Sequence, residues 1–115
     1  MVVRIDEQAN GGAVIEAKRL SGAGGYEPGE IAELMNRELT RMEFREFKAV
    51  FGRSRLAEEP TANCDMGADG AQWILEVVAD GKYAFYERWT PEDEAVRDVA
   101  LRMLTLTGWD LEPLY

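Results

Sequence analysis

Two glutamates, Glu76 and Glu87, are the residues of this chain best spaced to do chemistry together. They sit in two apolar, β-branched and aromatic runs, Gln72 to Ala79 and Lys82 to Trp89. Asp80-Gly81 joins the runs, a dipeptide suited to the positive-φ positions of a type I′ hairpin turn. A two-residue turn pairs Val78 with Tyr83, Glu76 with Phe85, Ile74 with Glu87 and Gln72 with Trp89. One face then carries all of these side chains, and the two carboxylates are diagonal neighbours with Cβ atoms about 7 Å apart. Paired carboxylates at such a spacing are the groups of acid–base catalysis, as in glycoside hydrolysis. The same face also mixes Ile74, Val78, Tyr83, Phe85 and Trp89 with those acids, which is the composition of a protein-binding or dimer surface. The blander reading is a solvent face whose aromatics are covered by the C-terminal tail or by the long connector before the hairpin. The opposite face, with Trp73, Leu75, Val77, Ala79, Ala84 and Tyr86 and with Lys82 and Arg88 toward the ends, reads as core because its middle is wholly apolar.

Other chemistry is excluded more firmly. The chain has no histidine, so it has no Ser-His-Asp or Cys-His catalysis, no His-ligated zinc and no imidazole pH switch. A single cysteine, Cys64, leaves no internal disulfide and no multi-Cys metal site, and nothing predicted beside it lowers its pKa. Asp65, Asp69 and Glu76, with Gly70, fall at positions one, five, twelve and six of a calcium loop. Position three is Gly67, and the following run reads as strand where an exiting helix is required. Ser21 to Gly29 is rich in glycine and precedes an expected helix, yet Glu30 stands at the Walker-A lysine position and Glu27 at the third glycine of a dinucleotide pattern. A hinge is the reading that remains. No cofactor and no metal are expected.

The 115 residues suit one domain, 1–115. With 46% apolar residues and 10% aromatics the chain has material for a core. Its 13 Lys+Arg against 22 Asp+Glu give −9, and the placement is uneven. Residues 1–57 hold nine bases and nine acids, whereas residues 58–115 hold four bases and thirteen acids. That excess disfavours generic binding to phosphate backbones, so nucleic acid is an unlikely partner; solubility is the simplest role for it. The early charges at Arg4 and Asp6 do not suit a signal peptide, no apolar run reaches a membrane-spanning length, and the lone thiol fits a reducing compartment. The expectation is a cytoplasmic protein without membrane contact.

Positioning falls to the remaining elements. Val2 to Asp6 and Ala13 to Leu20 read as a hairpin around Ala9-Asn10-Gly11-Gly12. A helix is expected from near Pro28, with Ile31, Leu34, Met35, Leu39 and Met42 as one stripe and Phe44, Phe47 and Phe51 as a second on another face. Gly52 is its stop. Arg37, Arg41, Arg45 and Lys48 would line one side of it, with Glu33–Arg37 and Glu38–Arg41 pairs. Residues 53–71 read as an irregular connector, with a helical turn near Ser54 to Glu59. A second helix should open at Thr90-Pro91-Glu92-Asp93, bury Val96, Val99, Ala100, Met103 and Leu104, and end at Gly108. The order predicts an α+β fold, an antiparallel four-stranded sheet in ββαββα order with two helices on one face.

Asp69-Gly70, Trp73, Glu76, Gly81, Tyr83, Arg88-Trp89 and Pro91 form the pattern D-G-x-x-W-x-x-E followed by Y-x-x-x-x-R-W-x-P. This resembles a family of bacterial proteins without an assigned activity, as does Lys18 to Tyr26 upstream. Ala84 stands where histidine commonly follows the tyrosine in that pattern. The resemblance implies a bacterial origin and no function. Residue by residue, the leading expectation is a non-enzymatic module that binds a protein partner or a second copy through Glu76, Tyr83, Phe85, Glu87 and Trp89. The alternatives are an enzyme using Glu76 and Glu87, and an acidic mimic of nucleic acid.

Overall fold

A computed structural model describes residues 1–22, 29–62, 67, 70–92 and 94–112. Two separate sheets replace the expected single one. The first holds β1 (Val2–Glu7), β2 (Ala13–Leu20) and β3 (Ile31–Glu38), antiparallel with β2 in the middle. The second is the hairpin of β4 (Gln72–Ala79) and β5 (Lys82–Trp89). Helices α1 (Arg41–Arg53) and α2 (Ala95–Thr105) complete the fold, with a short 3-10 turn at Leu56–Glu58.

The four-stranded ββαββα expectation fails at residues 31–38, which form a strand where a helix was expected. The helical stripe dissolves there, since Ile31 and Leu34 are exposed. Met35 and Arg37 are half-buried and Leu39 is buried, an inward alternation of period two. Tertiary pairing overrides the local helical preference because β2 has a second edge to satisfy. That strand places Ala13, Ile15 and Ala17 in the core and pairs with β1 on one side and β3 on the other.

Helix α1 starts at Arg41 because Thr40 caps it. Thr40 Oγ accepts from the Glu43 amide at 3.1 Å, and the Glu43 carboxylate accepts from the Thr40 amide at 2.8 Å. The expected basic stripe therefore splits. Arg37 lies on β3 and grips Glu43 with two bonds of 2.8 Å, Glu33 pairs with Arg19, and Lys48 lies over the Phe44 ring.

Two cores share one side chain. Ile15, Leu39 and Phe44 centre the first, and Leu56, Leu75, Tyr86, Val96 and Val99 the second; Phe47 packs on both. The two sheets are thus joined through helix α1, and among the described residues they share no hydrogen-bond ladder.

Helix α2 opens later than expected, at Ala95 after Glu94. Thr90 is engaged elsewhere, closing the hairpin's open end. Its amide donates to the Ala71 carbonyl at 2.8 Å and its hydroxyl accepts from the Ala71 amide at 3.0 Å, at a strained φ of 40°. The glycine-rich connector joins two strands, so no helix N-terminus follows it. Its residues 23–28, with the expected start at Pro28, lie outside the described residues.

Candidate functional site

The hairpin register follows from its turn. Asp80 at φ 52° and Gly81 at φ 74° take the two positive-φ positions, so Ala79 faces Lys82 and every later pair is fixed. Val78 pairs with Tyr83, Glu76 with Phe85, Ile74 with Glu87 and Gln72 with Trp89. Beneath, Leu75, Tyr86 and Arg88 are buried, and Trp73, Val77 and Ala84 are half-buried against the helices. Ala79, near the turn, is exposed. The two faces sort as the alternation requires.

The outer face is open at the turn end and partly covered at the other. Val78 is 74% exposed, Tyr83 61% and Ile74 55%, with Glu76 exposed among them. Phe85, Glu87 and Trp89 are half-buried. Ala62 forms a parallel bridge with Glu87, whose amide donates to the Thr61 carbonyl at 2.8 Å. A Cβ on Gly70 would come within 3.1 Å of the Trp89 indole nitrogen. The described part of the connector thus reaches the Trp89 end, while Trp109 and Asp110 of the tail lie against β2. Trp109 stacks with Arg19 of β2 at 5.0 Å, and Arg19 donates to the Asp110 carbonyl at 2.6 Å. The accessible centre of the face is accordingly Val78, Tyr83 and Ile74, displaced toward the turn from the Phe85–Trp89 end.

The two glutamates have separate partners. Gln72 donates its side-chain amide to Glu87. Loss of water, then the neighbouring Glu76 carboxylate and its hydrogen bond, hold the Tyr83 hydroxyl above its ordinary pKa, so it remains a protonated donor. Carboxylate chemistry also needs a concave site. A cavity of about 580 Å³ lies between α1 and α2, and one of about 270 Å³ lies beside β4; neither is lined by Glu87.

Arg88, which follows Glu87 in β5, is fully engaged. Its side chain is 1% exposed. Nε donates to Glu94 at 2.7 Å, Nη1 to the carbonyls of Glu87 at 2.8 Å and Thr61 at 3.2 Å, and Nη2 to the Pro60 carbonyl at 2.7 Å. The Glu59 carboxylate stands 3.6 Å away. This guanidinium ties the connector, β5 and the start of α2 together, and the fork geometry of arginine is what allows it. Sequence reading missed this clasp, although an arginine two residues beyond Tyr86 on the core face was its signal.

Among the described residues no cluster of three acidic or cysteine side chains could hold a metal ion. Cys64 and the Asp65 and Asp69 positions of the calcium pattern lie outside the described residues, and Glu76 lies in a strand. No helix of the described residues is long and apolar enough to cross a membrane. No family model matches the chain, and no curated protein or solved structure is significantly similar to it.

Proposed function

We propose that this chain is a non-enzymatic protein-interaction module that holds a basic protein partner on the outer face of the β4–β5 hairpin. The observation that carries this reading is the open cluster of Val78, Tyr83 and Ile74 around Glu76. Large apolar side chains grouped at the surface mark contact sites, and a tyrosine with a free edge is a common anchor. Phe85, Glu87 and Trp89 extend the surface toward the connector. The occupant is a heterologous protein in preference to a second copy. Every charge on the face is negative, because Lys82 and Arg88 belong to the opposite side. Self-docking would set Glu76 and Glu87 against their equivalents with no cation between them, whereas a basic partner neutralises both. Two carboxylates among five apolar residues are also too sparse for a nucleic-acid mimic. The bacterial resemblance and the single thiol support placement in a bacterial cytoplasm.

The test uses a photoreactive phenylalanine analogue placed at Tyr83 and, as control, at Leu34, which is 67% exposed on the first sheet. A basic protein should cross-link from position 83 and not from 34. Purified, it should lose at least tenfold in affinity to Tyr83→Ala and to Val78→Asp, each with unchanged thermal melting. Equal cross-linking from both positions, or binding indifferent to both substitutions, refutes the reading.

A further inference from the structure

The cavity of about 270 Å³ runs along the edge of β4. Five consecutive residues, Leu75 to Ala79, line it, and since successive side chains leave a strand on opposite faces, only a space at the strand's margin touches all of them. Ile5 and Glu7 of β1 line it too, with Phe44, Phe47 and Phe51 of α1. Among the described residues β1 pairs only with β2, and β4 only with β5. The far side of β5 is met by Thr61, but among the described residues no backbone hydrogen bond reaches the corresponding edge of β4 along Leu75–Ala79. An apolar trough therefore runs beside a row of unpaired backbone donors and acceptors, the arrangement that receives an added strand.

We infer that an extended, basic peptide segment of a partner protein adds as a strand to the free edge of β4, with alternate apolar side chains entering the phenylalanine-lined trough. The inference rests on the reading above that the partner is a basic protein, and states how it engages. The volume falls just under the range of about 300–1,000 Å³ typical of small-molecule sites, and suits a few peptide side chains. Charge selects the occupant. Glu7 and Glu76 line the cavity and neither takes part in an ion pair among the described residues, while Lys48, the one cation lining it, sits 4.4 Å over the Phe44 ring. A second copy would bring the same acids to the same edge.

The test measures binding of a ten-residue peptide of alternating valine and lysine to the full chain. Two further peptides carry backbone N-methyl groups on the valines or on the lysines, which remove strand hydrogen bonds and retain every side chain. At least one methylated peptide should bind tenfold or more weakly than the parent. Glu7→Lys, or Glu7→Gln should the reversal disturb melting, should weaken the parent at least threefold and by more than Tyr83→Ser does, whereas Leu34→Ser, on the first sheet, should leave it unchanged. Undetectable binding of the parent, or equal binding of all three peptides, overturns the inference. So does a loss confined to Tyr83→Ser, which would move the peptide onto the outer face and leave the proposed function standing. The converse, trough binding alongside a natural partner indifferent to Val78 and Tyr83, would sink the proposed function alone. A stable dimer of the free chain would assign the edge to a second copy and overturn the peptide reading.

Discussion

Replacing Arg88 by methionine should be among the most damaging single changes to this fold. The methionine fills part of the volume and removes the charge, but the main-chain carbonyls of Pro60 and Glu87 lose this donor, that of Thr61 keeps only the Glu87 amide, and none of them can be substituted away. The Glu94 carboxylate loses its 2.7 Å partner as well. Removing one member of a buried charge cluster costs about 3–5 kcal/mol, chiefly through the groups left unsatisfied. A domain of this size has about 5–15 kcal/mol in all, so the loss is a large share. With a urea m-value of about 2 kcal/mol/M, a cost of about 4 kcal/mol lowers the unfolding midpoint by about 2 M. Arg88→Lys should fall between the variant and the parent, since an ammonium has three donors and no planar fork. Glu94→Gln should cost only about 1 kcal/mol, because its amide oxygen still accepts from Nε. Hydrogen exchange supplies the local readout, as the Glu87 amide, bonded to Thr61, should lose protection first in Arg88→Met. A midpoint shift below about 0.5 M, or equal costs for Arg88→Met and Glu94→Gln, would refute the claim that the carbonyl clasp is what this arginine secures.

The Arg37 guanidinium, with the Thr40 amide, holds the Glu43 carboxyl down at about 2. Its folded pKa lies below the unfolded value of about 4.3, so its stabilisation is present above that pH and fades as pH falls toward 2. With screening at this partly exposed site, Glu43→Gln should cost about 1–2 kcal/mol at pH 7 and converge with the parent in acid-unfolding curves as pH falls to about 2; a constant gap would contradict this. Gly70→Ala should lower the melting temperature by several degrees, because φ 133° disfavours a side chain and the new Cβ would collide with the Thr90 hydroxyl. Unchanged melting would show that the connector does not depend on that contact.

The second half of the fold was legible because its signals agree. Asp80-Gly81 sets the turn, the turn sets the register, and the register assigns Leu75 and Tyr86 to the core and Val78 and Tyr83 to the surface. Residues 31–38 were misread because Ile-Ala-Glu-Leu-Met-Asn-Arg-Glu carries helix-forming residues at helical spacing, while the feature that decided its fate lies elsewhere, in the second edge of β2. A local clue was present all the same. Thr40 and Glu43 spell a capping box, and a helix that starts at a cap cannot be the continuation of an earlier one. The change of apolar face between Leu39 and Phe44 marks the same junction. Cover of the aromatics by the connector was among the readings the sequence allowed, but that it would reach the Trp89 end was not legible, since this depends on how the connector returns to β5 through Thr61 and Ala62.

Acidity takes on a second role in this architecture. Edge strands are commonly guarded by lysine, proline, bulges or a covering segment. β4 has none of these among the described residues, and its only charge is Glu76, within Gln-Trp-Ile-Leu-Glu-Val-Val-Ala. Yet a strand so apolar is a hazard only to copies that can approach it. Residues 58–115 concentrate the whole excess of negative charge, so two chains meeting hairpin to hairpin repel over about 10 Å at moderate salt. A cationic segment meets the opposite field: the charge that excludes the wrong partner draws in the right one. Both consequences share one electrostatic origin and should respond to salt in opposite senses. Screening weakens capture of a basic peptide and relaxes the barrier to self-pairing, whereas solubility alone would produce only the second effect.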